Sequence, residues 1–179
     1  MMVLTRSQKE IQNAARDFAK GEFDHSLTLE LELSRQFPGK IWEKAGDLGF
    51  IGIQYPANFS GGEMGVFEAG LIAERFCTID STLGIALSLS GLGSEAVHRF
   101  ADDALKQKIL PDICEGKRLS GTAFSENPHG LDLSSINAKA EFRDDTIVLN
   151  GKKTHVAARG AKGGYLVLCR TRSDDAPLS

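Results

Sequence analysis

What this chain has little of narrows it first. Its three cysteines, Cys77, Cys114 and Cys169, stand far apart in 179 residues and form no CxxC pair. A set that is odd in number and scattered excludes a disulfide framework and a zinc cluster, and it suits a reducing cytoplasm. The four histidines, His25, His98, His129 and His155, include no pair at metal-ligand spacing on one helix face. Neither sign of charge dominates. The net charge is -3 and the charges are interspersed, so there is no footprint for nucleic acid and no polybasic membrane patch. The opening MMVLTRSQKE has no apolar core, so no secretory signal is expected. The most apolar stretch, 81–100, is too short and too interrupted by serine and glycine to span a bilayer. Neither a nucleophile elbow nor a phosphate loop occurs. What is there is an ordinary soluble composition, 41% hydrophobic and 25% charged, long enough for one or two compact units.

The first two thirds carries helical periodicity. Ile11, Ala15, Phe18 and Ala19 share one face of a helix over 5–20, with Thr5 or Ser7 as its cap, and the pattern can run on past Gly21 to Phe23. Over 24–37, Leu27, Leu29, Leu31 and Leu33 alternate like a strand, while the acidic and leucine content favours a helix or irregular structure. Pro38 opens a helix with Ile41, Trp42, Ala45 and Leu48 on its apolar face and Gly49 as its stop. A helix over 63–77 carries Val66, Phe67, Leu71, Ile72 and Phe76. Residues 81–100 predict a helix apolar on most sides and buried in a bundle, with His98 on its surface. Within it, Gly91-Leu92-Gly93-Ser94-Glu95-Ala96 matches a dinucleotide fingerprint. That motif needs a strand before it, and only Thr82 and Ile85 there are β-branched, so the glycines are read as close-packing points of a helix. Asp102 caps a further helix with Leu105, Ile109 and Leu110 on its face, and Pro111 begins the next turn.

The period then changes to two. Ala138, Ala140 and Phe142 alternate with charged residues, and Asp144-Asp145 turns the chain into 146–149. Asn150-Gly151 is the strongest hairpin signal present, which predicts 152–157 as the partner strand. A loop over 159–164 leads to a buried strand, Tyr165 to Cys169. Four strands with open edges rarely finish a sheet domain, so a β-domain continuing beyond Ser179 is expected.

Between the halves lies Leu119–Asp132, LSGTAFSENPHGLD, a short apolar run that breaks into a polar loop. Thr122, Phe124 and Ser125 alternate backbone and side-chain groups that could line a planar, amide-bearing ligand, with His155, Val156 and Ala157 on a later strand. Ser125 and Glu126 suit the capping of a turn equally well.

The order of these segments resembles the acyl-CoA dehydrogenase family of flavoproteins. Phe37-Pro38 through Trp42 to Leu48-Gly49 and Gly52 resembles its FP-x-x-x-W…LG-x-x-G segment, and Pro56 with Gly61-Gly62 its P-x-x-YGG loop. Gln107-Lys108 with Leu110-Pro111 and Glu115-Gly116 is similar to its QK-x-x-LP…GE run. Ser125 to Asp132 aligns with TEP-x-AGSD, and Asn150-Gly151-Lys152-Lys153 with NG-x-K before W-I-T. The number, order and spacing of these segments make the resemblance specific.

The resemblance implies an α+β chain: an N-terminal all-α helical bundle (1–117) followed by the start of an antiparallel β-barrel or sandwich domain (118–179, incomplete), with a C-terminal four-helix domain lying elsewhere. It implies FAD as cofactor, an acyl-CoA substrate, an electron-transferring flavoprotein as acceptor, and a homo-oligomer, dimer or tetramer. Thr122, Phe124, Ser125, His155, Val156 and Ala157 fall at its flavin-binding positions, and Leu131 at the position of a serine that contacts acyl-CoA. The catalytic carboxylate belongs to the C-terminal domain, so none is assigned here, and the chain alone is expected to bind FAD weakly or not at all. Departures cluster at the cofactor: His155 for tryptophan, Ala157 for threonine, Leu131 for serine and Asn127 for proline. Losing the threonine hydroxyl costs roughly 1 kcal/mol. These departures keep open a non-catalytic subunit of a hetero-oligomer and, further off, a flavin monooxygenase of the same fold.

Overall fold

The computed structural model describes residues 3–127, 130, 132–156 and 163–171. Helix α1 (Arg6–Glu22) starts at Thr5. The Thr5 hydroxyl accepts from the Gln8 N–H at 3.2 Å, and the Gln8 side chain accepts from the Thr5 N–H at 2.9 Å. This reciprocal pair satisfies two donors that a helix start otherwise leaves open. Gly21 does not end the helix. Ala15 and Ala19 are fully buried, and such small side chains allow the close approach of α1 to α4.

The undecided segment at 24–37 is helix α2 (His25–Ser34), with the Asp24 carboxylate accepting from the Leu27 N–H at 3.0 Å. Its leucines do not act as a strand would have them act. Leu27 and Leu31, one turn apart, pack on the core, while Leu29 and Leu33 are exposed. Arg35, in the left-handed region, ends it.

Helix α3 (Gly39–Asp47) follows Pro38 and buries Ile41, Trp42 and Ala45; Leu48, expected on that face, is 62% exposed. Gly49, at φ +75°, stops the helix as its position predicts. Helix α4 (Val66–Ile79) begins later than the expected start at 63, because Glu63 has positive φ and Gly65 takes the cap. Val66 and Phe67, in its first turn, are exposed, while Leu71, Ile72 and Phe76 are buried. Phe76 is the centre of an aromatic cluster, with ring centroids 5.6 Å from Phe18, 5.5 Å from Phe23 and 5.6 Å from Phe50.

The single buried helix expected over 81–100 is two short ones, α5 (Ser81–Ser88) and α6 (Ser94–Phe100). Leu83 and Leu87 are buried, but Ile85, Leu89 and Leu92 are exposed. The break comes from the strand half. The Ser90 carbonyl accepts from the Ser120 N–H at 2.8 Å, and the Gly93 N–H donates to the Ser120 carbonyl at 3.2 Å. A side chain at Gly93 would collide with the Gly121 carbonyl. The glycine is a close-packing point, as read, but in a turn. Helix α7 (Asp103–Cys114), capped by Asp102, passes through Pro111 instead of breaking there. Leu110 and Ile113 are buried and Leu105 is exposed.

Strand β1 (Leu119–Ala123) pairs in parallel with β4 (Gly163–Val167). Strand β2 (Lys139–Arg143) pairs antiparallel with β3 (Thr146–Asn150). Arg170 bridges the two pairs: the Ala140 N–H donates to the Arg170 carbonyl, and the Arg170 N–H to the Ala138 carbonyl, each at 2.8 Å. The hairpin turn is at Asp144, at φ +50°, and not at Asn150-Gly151, neither of which has positive φ. Gly151 instead lies against Ala138, and 151–156 runs on without strand pairing. The expected buried strand Tyr165 to Cys169 ends at Val167. Tyr165 is 44% exposed, and Cys169 joins a small core with Ile136, Ala138 and Ala140. The architecture is α+β, helices first and then strands. No helix among the described residues is long and apolar enough to cross a membrane.

Candidate flavin-facing site

Thr122 lies on β1, and Phe124 and Ser125 follow directly; all three are half-buried. The strand delivers them to the loop, and the loop is held by a charge. The Glu126 carboxylate is 7% exposed, and its Oε1 accepts from Lys153 Nζ at 2.8 Å. Oε1 also accepts from the Ala138 N–H at 2.9 Å, and Oε2 from the Asn137 N–H at 2.7 Å. Burial alone would raise this carboxyl, but bonds from Lys153, Asn137 and Ala138 outweigh it and hold the pKa lowered to about 2. Glu126 thus acts as a fixed anion that orders backbone; it is not poised to take up a proton.

The second segment is brought to the first. The Thr154 N–H donates to the Ser125 carbonyl at 2.9 Å, and Lys153 Nζ donates to the Phe124 carbonyl at 3.1 Å. Just beyond, His155 is exposed at φ +54° and Val156 is half-buried. Histidine is among the residues that tolerate this region. The structure therefore joins 122–125 with 153–156. Leu131, Ala157 and His129 lie outside the described residues. Sequence reasoning missed the ion pair. Its two members are 27 positions apart, and only their places in two resembling motifs linked them to one site.

A larger, mostly apolar cavity of 510 Å³ lies in the helical half, between the 50–55 loop, α4 and the α5–α6 turn, with Tyr55, Glu95 and Arg99 on its walls. Ser90 and Gly91 also line it, and the Ser90 carbonyl is bonded to β1, so the cavity and the strand share a wall. His98 is not a surface residue as expected. It is half-buried, with its ring 5.3 Å from that of Tyr55 and 6.4 Å from that of Phe59. Tyr55 bonds Ser94 at 2.8 Å, and burial pushes its phenol pKa up. Burial likewise pushes the Cys114 thiol up to about 11, so it is no nucleophile. No group of three metal-ligating side chains occurs among the described residues.

A helical bundle followed by the start of a strand domain is the arrangement the family resemblance implies. The chain belongs to the acyl-CoA dehydrogenase family: residues 5–117 match "Acyl-CoA dehydrogenase, N-terminal domain". It is 25% identical over 174 residues to the mitochondrial isobutyryl-CoA dehydrogenase of Dictyostelium discoideum, covering 97% of this chain and 42% of that protein. It is similar in structure to butyryl-CoA dehydrogenase from Megasphaera elsdenii, with 26% identity, a TM-score of 0.86, and coverage of 98% of this chain and 47% of that one. A structure described as the FAD complex of PigA matches at 25% identity and a TM-score of 0.84, over 96% of this chain and 45% of that chain. The chain thus spans less than half the length of these relatives.

Proposed function

We propose that this chain supplies the N-terminal helical domain (1–117) and the first part of the middle β-domain (118–179) of an FAD-dependent acyl-CoA dehydrogenase. The observation that carries the reading is the meeting of 122–125 with 153–156 through the Thr154–Ser125 bond, in a chain of this family. The donor set suits a planar ring rich in acceptors: the half-buried hydroxyls of Thr122 and Ser125 have no partner among the described residues. Those hydroxyls and the Phe124 segment would hold one side of the cofactor, and His155, Val156 and Ala157 the other. By the resemblance, Leu131 falls at the position of a serine that contacts acyl-CoA. Bound there, FAD would supply the acceptor for a hydride from the acyl β-carbon, and the α-proton would pass to a base. No described residue is assigned as that base; Glu126 is committed to Lys153 and to two backbone donors. Its residues bind, orient and exclude water.

The acceptor is an electron-transferring flavoprotein and the assembly a homodimer or homotetramer. The cytoplasmic placement rests on three unpaired cysteines. The heteromeric and monooxygenase readings gain no observation of their own. Purified full-length protein tests the proposal. It should be yellow, and the acyl-CoA should bleach it; a colourless product that does not bind added FAD overturns it.

A further inference from the structure

The buried ion pair beside the candidate site calls for a reason. Lys153 is 9% exposed and Glu126 7%, and a pair withdrawn this far from water is by itself weak support for stability, since an apolar pair often serves as well. The pair, however, ties the segments that carry the candidate flavin face to each other and to the start of β2: Lys153 reaches the Phe124 carbonyl, and Glu126 the Asn137 and Ala138 N–H groups. Glu126 directly follows Ser125, and it accepts from the backbone where β2 begins. Lys153 lies two residues before His155 and donates to the carbonyl of Phe124. The segment 151–156 pairs with no strand. Among the described residues, its backbone is tied to the β1 end by the Thr154–Ser125 bond alone. One such bond leaves a segment free to swing about it. A second tether, two bonds from one ammonium to both sides of Ser125, removes that freedom.

We infer that the Lys153–Glu126 pair is a positioning device for the cofactor. It sets the spacing and tilt of the segment beginning at Lys153 against the end of β1, and so the width of the slot between Ser125 and His155–Val156. Neither residue touches reacting atoms; both act through the backbone they hold. The inference rests on the flavoenzyme reading and deepens it. A merely structural pair would lower the melting temperature when broken and leave the flavin of the folded molecules unchanged.

The experiment uses the full-length protein with Lys153→Met, Glu126→Gln and Glu126→Asp. Leu110→Ala, in the fully buried core of α7, is the stability control. FAD dissociation constant, visible flavin spectrum and flavin midpoint potential are measured at a temperature where circular dichroism shows each variant folded. Lys153→Met and Glu126→Gln should weaken FAD binding about tenfold or more, the loss of one charge-assisted bond, and shift the spectrum and the potential. Leu110→Ala should lower the melting temperature at least as much, with the flavin unchanged. Glu126→Asp keeps the charge and shortens the arm by one methylene; it decides the matter if the neutral variants do not fold, because a tether that sets geometry must then move the flavin spectrum. Folded variants whose affinity, spectrum and potential equal those of the wild type overturn the inference. A wild type that binds no FAD overturns the flavoenzyme reading itself, so the two failures are distinguishable.

Discussion

The helical half and the strand half are held together by different physics. In the helices one continuous core runs from Ala15 through Trp42 and Phe76 to Leu119, and its stability comes from apolar area removed from water, which has no direction. In the strand half the core reduces to Ile136, Ala138, Ala140 and Cys169 with a few neighbours. There the tightest restraint is the Glu126 carboxylate with its three bonded contacts, to Lys153 and to the Asn137 and Ala138 N–H groups. Burial fixes that a region is compact. Directional bonds fix where a particular backbone atom sits, and a cofactor site needs the second.

Four measurements test this contrast, from the largest effect to the smallest. Phe76→Ala removes the ring shared by Phe18, Phe23 and Phe50 and should cost about 4 kcal/mol in urea unfolding. A loss below about 1 kcal/mol would mean that the aromatic cluster is not the centre of the helical core.

Acid should act on the other half. The ordinary value for Glu126 is 4.5 and its folded value is lowered to about 2, so the unfolded chain binds the proton first. Its contribution is complete above pH 4.5 and is lost as pH falls toward 2. It is on the order of 3 kcal/mol at about 1.4 kcal/mol per pH unit. The wild-type stability curve should fall across that window, and that of Glu126→Gln should be flatter; parallel curves would contradict the clamp.

Gly93→Ala probes the seam between the halves. Its Cβ would press on the Gly121 carbonyl and the Ser120 hydroxyl, and overpacking of this kind should cost about 2 kcal/mol. Unchanged stability would show that the seam gives way easily. Asp102→Ala removes the acceptor 2.8 Å from the Leu105 N–H at the start of α7 and should lower stability by about 1 kcal/mol. It sets the scale for a local change that touches neither core nor clamp.

Much of the helical half was legible because its signals are local. The Thr5, Pro38 and Asp102 starts and the Gly49 stop are each set by a few neighbouring residues. Where the reading slipped, distant contacts intervened. Leucines 27 to 33 alternate along the chain, yet only the pair one turn apart meets the core. Residues 81–100 read as one mostly apolar helix, yet hydrogen bonds to Ser120 divide it. Asp144-Asp145 makes the turn expected of it, with β2 and β3 paired directly across it, while Asn150-Gly151, the stronger turn signal, brings back no partner strand over the described residues 151–156. His98 reads as a surface residue until Tyr55 and Phe59 fold over it. At the site, Thr122, Phe124 and Ser125 with His155, Val156 and Ala157 could be named from motif order, but the contact of 122–125 with 153–156 could not.

The amino-acid order was enough to settle an α+β chain, its family resemblance and several helix ends, and to name two candidate segments for a cofactor, since periodicity, caps and motif order are written in neighbouring residues. Tertiary structure alone decided that Lys153 reaches Glu126 across 27 positions, that β1 pairs with β4 in parallel, and that a turn of the helical half is stitched to β1. Such contacts depend on which distant backbone groups find a partner when both leave water, and no local pattern encodes that choice.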